Sequence, residues 1–117
     1  MTKKNVLLAA FRGDLMCFVH VMLNAIDIAK KHHVEILLEG EATKVPQIYL
    51  DDQDAPFSKL WKQILAEGYI KAVCTACSNK MKSTKAVESF GLPLIGDMSG
   101  HSPLLRWIDQ DFEIITF

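Results

Sequence analysis

The chain has 117 residues, half of them hydrophobic, enough to build one sizeable core and too few for a second. Thirteen basic and fourteen acidic side chains, interspersed, leave a net charge of −1, which lacks the electrostatic footprint of a nucleic-acid or membrane-surface binder. Three cysteines at uneven spacing do not make a secreted disulfide framework and favour reduced or redox-active thiols in a reducing compartment. The start, Met-Thr-Lys-Lys, leads into an apolar run of about seven residues, too short for a signal segment or a membrane span. A single soluble, cytoplasmic domain over 1–117 is expected.

Asn5 to Phe11 is continuously apolar, the pattern of a strand covered on both faces, and Arg12-Gly13-Asp14 turns it. A helix follows, with Leu15, Phe18, Val19, Met22 and Ile26 on one stripe and His20, Asn24, Asp27 and Lys31 on another. Its end is read at Lys30, Lys31, His32 and His33, a solvated cluster suited to the negative end of the helix dipole. Val34 to Leu38 forms the second strand, and Glu39-Gly40-Glu41 leaves it with two carboxylates in a loop. A short helix interrupted by Pro46 is expected next, then the acidic turn 51–54, read as a helix-start signal in preference to a cation site. The helix it introduces has Pro56 in its first turn, a face of Phe57, Leu60, Trp61, Ile64 and Leu65, and Gly68 after its end.

The stretch from Tyr69 to Lys80, YIKAVCTACSNK, carries the chemistry. It reads as a short buried strand running directly into a Cys-x-x-Cys pair that opens a helix. Unpaired backbone N–H groups at a helix start favour thiolate over thiol, and thiolate is the form that attacks sulfur and binds soft metals. Cys74 and Cys77 are therefore candidate nucleophile and resolving partner, or two metal ligands. Helix continues from Ser78 to Phe90 with a break near Lys82-Ser83, and Leu92 to Ile95 makes a short strand. After the loop from Gly96 to His101, Ser102 and Pro103 cap a last helix packed through Leu104, Leu105, Trp107 and Ile108, and Phe112 to Phe117 is the final strand.

Strands and helices alternate throughout, which predicts an α/β fold: a three-layer α/β/α sandwich around a mostly parallel sheet. In such folds the loops at the carboxyl ends of the strands gather ligands, and here those loops hold Arg12-Gly13, Glu39 to Glu41, Cys74 to Cys77 and Asp97 to His101. His101 is a candidate acid, base or anion contact, set against a loop histidine bonded to backbone. Asp97 has a similar standing against a turn cap, Glu39 and Glu41 against exposed loop carboxylates, and Arg12 against a solvated arginine. Cys17, His20, Cys74 and Cys77 are the one set of four soft ligands that the topology could assemble for zinc, although no second Cys-x-x-Cys completes the usual pattern. No dinucleotide or phosphate-binding glycine motif is present, so no cofactor is expected.

The strand NVLLAAF, the segment ILLEGEATKVP, the Cys-bearing AVCTACSNK and the terminal EIITF together resemble the DsrE/DsrF-like (YchN-like) family of small sulfur-relay proteins, over most of the chain. The resemblance implies one DsrE-like domain with a five-stranded, mostly parallel sheet and assembly as a homo-oligomer, a trimer or hexamer. It implies a cysteine that carries sulfur as a persulfide, matching Cys74, with Cys77 as resolving thiol. Protein donors and acceptors of sulfur would be the partners, with no nucleic acid and no membrane. A thiol–disulfide switch, a metal- or small-ligand-binding module without turnover, and a regulatory interaction protein are the competing readings.

Overall fold

The structure, a computed structural model, describes residues 2–117. Its strands are β1 (Asn5–Ala10), β2 (His33–Leu38), β3 (Ile70–Cys74), β4 (Leu94–Ile95) and β5 (Glu113–Thr116). The helices are α1 (Leu15–Ile28), α2 (Val45–Asp51), α3 (Ser58–Glu67), α4 (Thr75–Lys80), α5 (Thr84–Ser89) and α6 (Leu105–Ile108), with a 3-10 turn over Gly40–Lys44 ahead of α2. All five strands are parallel, in the order β4-β3-β2-β1-β5. No helix among the described residues is long and apolar enough to cross a membrane.

Strand order explains how the helices are shared between the two faces. From β1 to β4 the chain steps three times in one direction, and right-handed crossovers then lay every intervening helix on the same face. The return from β4 to β5 runs the other way and delivers α6 to the opposite face. The packing agrees with this. Val6, Leu8, Ile36, Leu38 and Val73 point into a large core with α1, α2, α3 and α5, where Trp61 stacks on Tyr49 at 5.0 Å. Leu7, Ala9, Leu37 and Ala72 point the other way and meet Trp107 of α6. The sandwich has three layers, and the second outer layer is thin.

That thinness accounts for a charged residue in the middle of an apolar strand. Glu35 points to the α6 side, where it accepts hydrogen bonds from Trp107 Nε1 at 2.9 Å and pairs with His33 Nε2 at 2.8 Å. A carboxylate so partnered avoids the cost of burial without a donor.

Several sequence-based boundaries shift. α1 ends at Ile28, before the basic cluster; His33 opens β2, and His32 Nδ1 accepts the Lys4 N–H at 3.0 Å. Pro46 sits in the first turn of α2 and does not interrupt it, since the N–H it lacks has no intrahelical partner there. Asp52 closes α2, so the acidic turn ends one helix before the next begins, and Pro56 precedes α3, which starts after a left-handed Phe57. The break between α4 and α5 falls at Lys82, also left-handed, where it was expected. α6 is a single turn that begins after Leu104, so Ser102 is not its cap. One turn packs one side only: Trp107 is buried, whereas Leu105 and Ile108 are exposed, contrary to the packed face read from spacing.

Candidate functional site

Because every strand is parallel, the loops after β1, β2, β3 and β4 leave from one rim. Only between β3 and β4 do the following segments depart toward opposite faces, α4 and α5 to one and α6 to the other. Such a divergence opens a crevice at the strand ends, the usual place for a site in open α/β sheets. Cys74 and Cys77 follow β3, and His101 follows β4.

Cys74 is the last residue of β3 and the N-cap of α4, in extended conformation. Cys77 comes three residues later, so one helical turn brings both sulfurs to the same side. The buried Ser78 hydroxyl donates to the Cys74 carbonyl at 2.8 Å, which ties the strand end to the helix. His101 is delivered by a clamped loop. Gly100 adopts a left-handed φ of +90°, which suits a residue without Cβ, and its carbonyl accepts the Ala76 N–H at 2.8 Å. Met98 and His101 exchange backbone hydrogen bonds of 3.0 and 2.9 Å.

The result is an imidazole facing two thiols. His101 Nδ1 lies 3.3 Å from Cys74 Sγ and 3.7 Å from Cys77 Sγ, and the ligand atoms of the three residues all lie within 4.8 Å of one another. Cys74 is 0 % exposed, Cys77 is half-buried and His101 is exposed. No disulfide joins the cysteines. Such a group serves thiol chemistry, with the imidazole as proton acceptor, or soft-metal binding.

The electrostatics correct one sequence expectation. Burial pushes the Cys77 thiol above the ordinary range, with the adjoining Cys74 thiol adding to the effect; the Gly40 N–H acts in the opposite sense and does not reverse it, and the Glu39 carboxylate contributes least. A helix start therefore does not make Cys77 unusually acidic, and α4, with six residues, has a short dipole. Glu39, half-buried beside the group, is itself raised by burial, with the charge of His101 opposing.

The other candidates fall elsewhere. Cys17 and His20 line a surface recess with Arg12, Asn24 and Phe117. They do not join Cys74 and Cys77, because β1, which leads into α1, is separated from β3 by the whole of β2. Among the described residues the converging donors are instead Cys74, Cys77 and His101. Arg12 pairs with Asp14 at 3.5 Å, and Asp97 and Glu41 are exposed. Glu39 is the residue sequence reasoning undervalued, and its position directly after an apolar strand was the available signal.

No family model matches the chain, and no curated protein does. A solved structure, that of the conserved protein of unknown function BT1422 from Bacteroides thetaiotaomicron, is similar with a TM-score of 0.67 at 14% identity, covering 97% of this chain and 95% of that one. At that identity the likeness concerns the fold.

Proposed function

We propose that the protein is a sulfur carrier of the DsrE-like kind, in which Cys77 takes up a sulfane sulfur as a persulfide while Cys74 waits beneath it. The observation that carries this reading is the pair of thiols of unequal exposure facing one imidazole nitrogen. From sequence, Cys74 receives the sulfur and Cys77 resolves it. A protein-bound donor reaches a thiol that meets solvent, so the burial of Cys74 favours the reverse.

In the loading step His101 accepts the Cys77 proton, and the thiolate attacks the outer sulfur of a donor persulfide. A Cys77 Sγ–S bond forms as the donor S–S bond breaks, and the departing donor thiolate takes the proton back, with no net oxidation. An acceptor thiolate can then remove the outer sulfur in the same way. Alternatively, Cys74 attacks Cys77 Sγ and expels hydrosulfide, leaving a Cys74–Cys77 disulfide for a cellular dithiol to reduce. A reducing compartment such as the cytoplasm, where thiols stay free, suits this reading. Self-association belongs to the same reading, and the exposed Leu105 and Ile108 beside the thin face are compatible with it.

The test is mass spectrometry of the reduced protein after incubation with a persulfide donor. One added sulfur on Cys77, absent in Cys77→Ser and retained in Cys17→Ser, is the expected result. No adduct and no released hydrosulfide, or an adduct confined to Cys17, sinks the reading; loss of two hydrogens with no added sulfur and no hydrosulfide released assigns the pair to a thiol–disulfide switch.

A further inference from the structure

The donor atoms at the carboxyl ends of β3 and β4 are the two sulfurs and one ring nitrogen, a soft set that selects zinc or similar thiophilic ions over magnesium or calcium. Their spacing can be compared with what a metal requires. Zinc–sulfur bonds of about 2.3 Å and zinc–nitrogen bonds of about 2.0 Å at a tetrahedral angle place sulfur and nitrogen about 3.5 Å apart. The observed separations are 3.3 and 3.7 Å, one on each side of that value. Both sulfur–nitrogen separations thus already lie near those of a bound ion, and the two sulfurs lie within 4.8 Å of each other.

Two segments supply the three donors and are hydrogen-bonded to each other, as in a preformed site. Two come from the N-cap and first turn of α4, the Cys-x-x-Cys spacing by which metal sites grip an ion between neighbouring thiolates. The third arrives on the loop clamped through Ala76 N–H to the Gly100 carbonyl and through the Met98–His101 pair. Nδ1, the nitrogen turned toward the sulfurs, is the donor. The third ligand lies 24 residues beyond Cys77, in a loop without a second Cys-x-x-Cys, so the sequence pattern looks incomplete.

We propose that Cys74 Sγ, Cys77 Sγ and His101 Nδ1 bind one zinc ion, leaving a fourth coordination position open. Binding exchanges two thiol protons for the dication: Zn²⁺ and two thiols give a neutral bis-thiolate centre and two protons. The bound ion occupies both thiols, so zinc loading and sulfur loading exclude each other. Metal binding itself does not depend on the sulfur-carrier reading; only this exclusion does.

Cobalt(II), which reports thiolate ligation through charge-transfer bands, is the probe. Full-length protein, reduced and freed of metal by a chelator, is titrated with Co²⁺ and then with Zn²⁺, and zinc affinity is read by competition with a chromophoric chelator. One Co²⁺ per chain with sulfur-to-cobalt bands, displaced by one equivalent of Zn²⁺, is expected. Cys77→Ser and His101→Ala, both outside the core, are expected to weaken zinc by about tenfold to a hundredfold or more, since losing even an outer-shell partner costs that much; Cys17→Ser leaves it unchanged. The absence of charge-transfer bands, wild-type zinc affinity in His101→Ala, or equal losses in Cys17→Ser and Cys77→Ser overturns the inference. Metal-free protein is assayed for sulfur uptake in parallel. Cobalt bands without sulfur uptake support the zinc site while removing the carrier reading, and sulfur uptake without cobalt bands does the opposite.

Discussion

Cys17 and Cys77 both lie in the first turn of a helix at the same rim of the sheet, yet their surroundings differ. Cys17 belongs to the fourteen-residue α1, whose N-cap is Asp14, with the Asp14 carboxylate accepting the Cys17 N–H at 3.2 Å. The carboxylate pushes the Cys17 thiol up, chiefly through the side-chain hydrogen bond between them. Cys77 belongs to the six-residue α4, has a second thiol and an imidazole as neighbours, and is pushed up chiefly by burial. If helix polarity decided thiol acidity, Cys17 on the longer helix would be the acidic one. A capping carboxylate decides it at Cys17 and burial at Cys77, and it is Cys77 whose sulfur faces a neighbouring imidazole, at 3.7 Å.

The largest expected effect comes from removing that neighbour. His101→Ala should slow sulfur loading of Cys77 by about a hundredfold or more, within the ordinary worth of a positioned base. Alkylation of Cys17, measured in the same sample by peptide mass, should not change. Equal slowing at both cysteines would erase the distinction between the two environments.

Next in size is a change at the seam between them. Gly13, in the loop that leads to Cys17, packs so closely on the 3-10 turn that a Cβ would collide with the Glu41 carbonyl oxygen and press on Lys44 Cε. Gly13→Ala should destabilise the protein by about 1–3 kcal/mol, the usual cost of overpacking, as read by denaturant unfolding. The turn it displaces carries Gly40, whose N–H acts on Cys77, so the reactivity of that thiol should move with it.

The smallest effects are shifts in pH profile. Both thiols are held above the ordinary range, so protonated thiol predominates at neutral pH and each alkylation rate should climb only as pH rises into the alkaline range. Asp14→Asn, which keeps a capping residue, should bring the Cys17 midpoint down and leave Cys77 unmoved. Glu39→Gln should lower the Cys77 midpoint by less, because Glu39 is the weakest of the influences raising it. A larger shift from Glu39→Gln than from Asp14→Asn would reverse the ranking.

Much of this was legible in the chain. Apolar runs such as Asn5 to Phe11 and Val34 to Leu38 marked buried strands, and alternation with helices marked a parallel sheet. The Cys-x-x-Cys pair announced itself, and His101 could be assigned to the same rim. Strand order could not be read, because it is set by packing between distant segments; with it went the separation of Cys17 and His20 from Cys74 and Cys77. Leu105 and Ile108 were misjudged for a related reason: their spacing suits an amphipathic helix, but a single turn over the edge of a sheet has only one side to bury.

β4 contributes only two residues, paired to β3 through Val73–Leu94 and Cys74–Ile95, and among the described residues no strand flanks it on the outside. The imidazole is thus suspended from the least anchored rung of the ladder, whereas the sulfurs hang from an interior one. Fraying of that rung, once the Ala76–Gly100 hydrogen bond also opens, would swing the histidine aside and uncover Cys74 while the rest of the sheet stays intact, an opening that costs far less than unfolding. Amide protons around Ile95 should accordingly exchange with solvent well before those of β1 and β2.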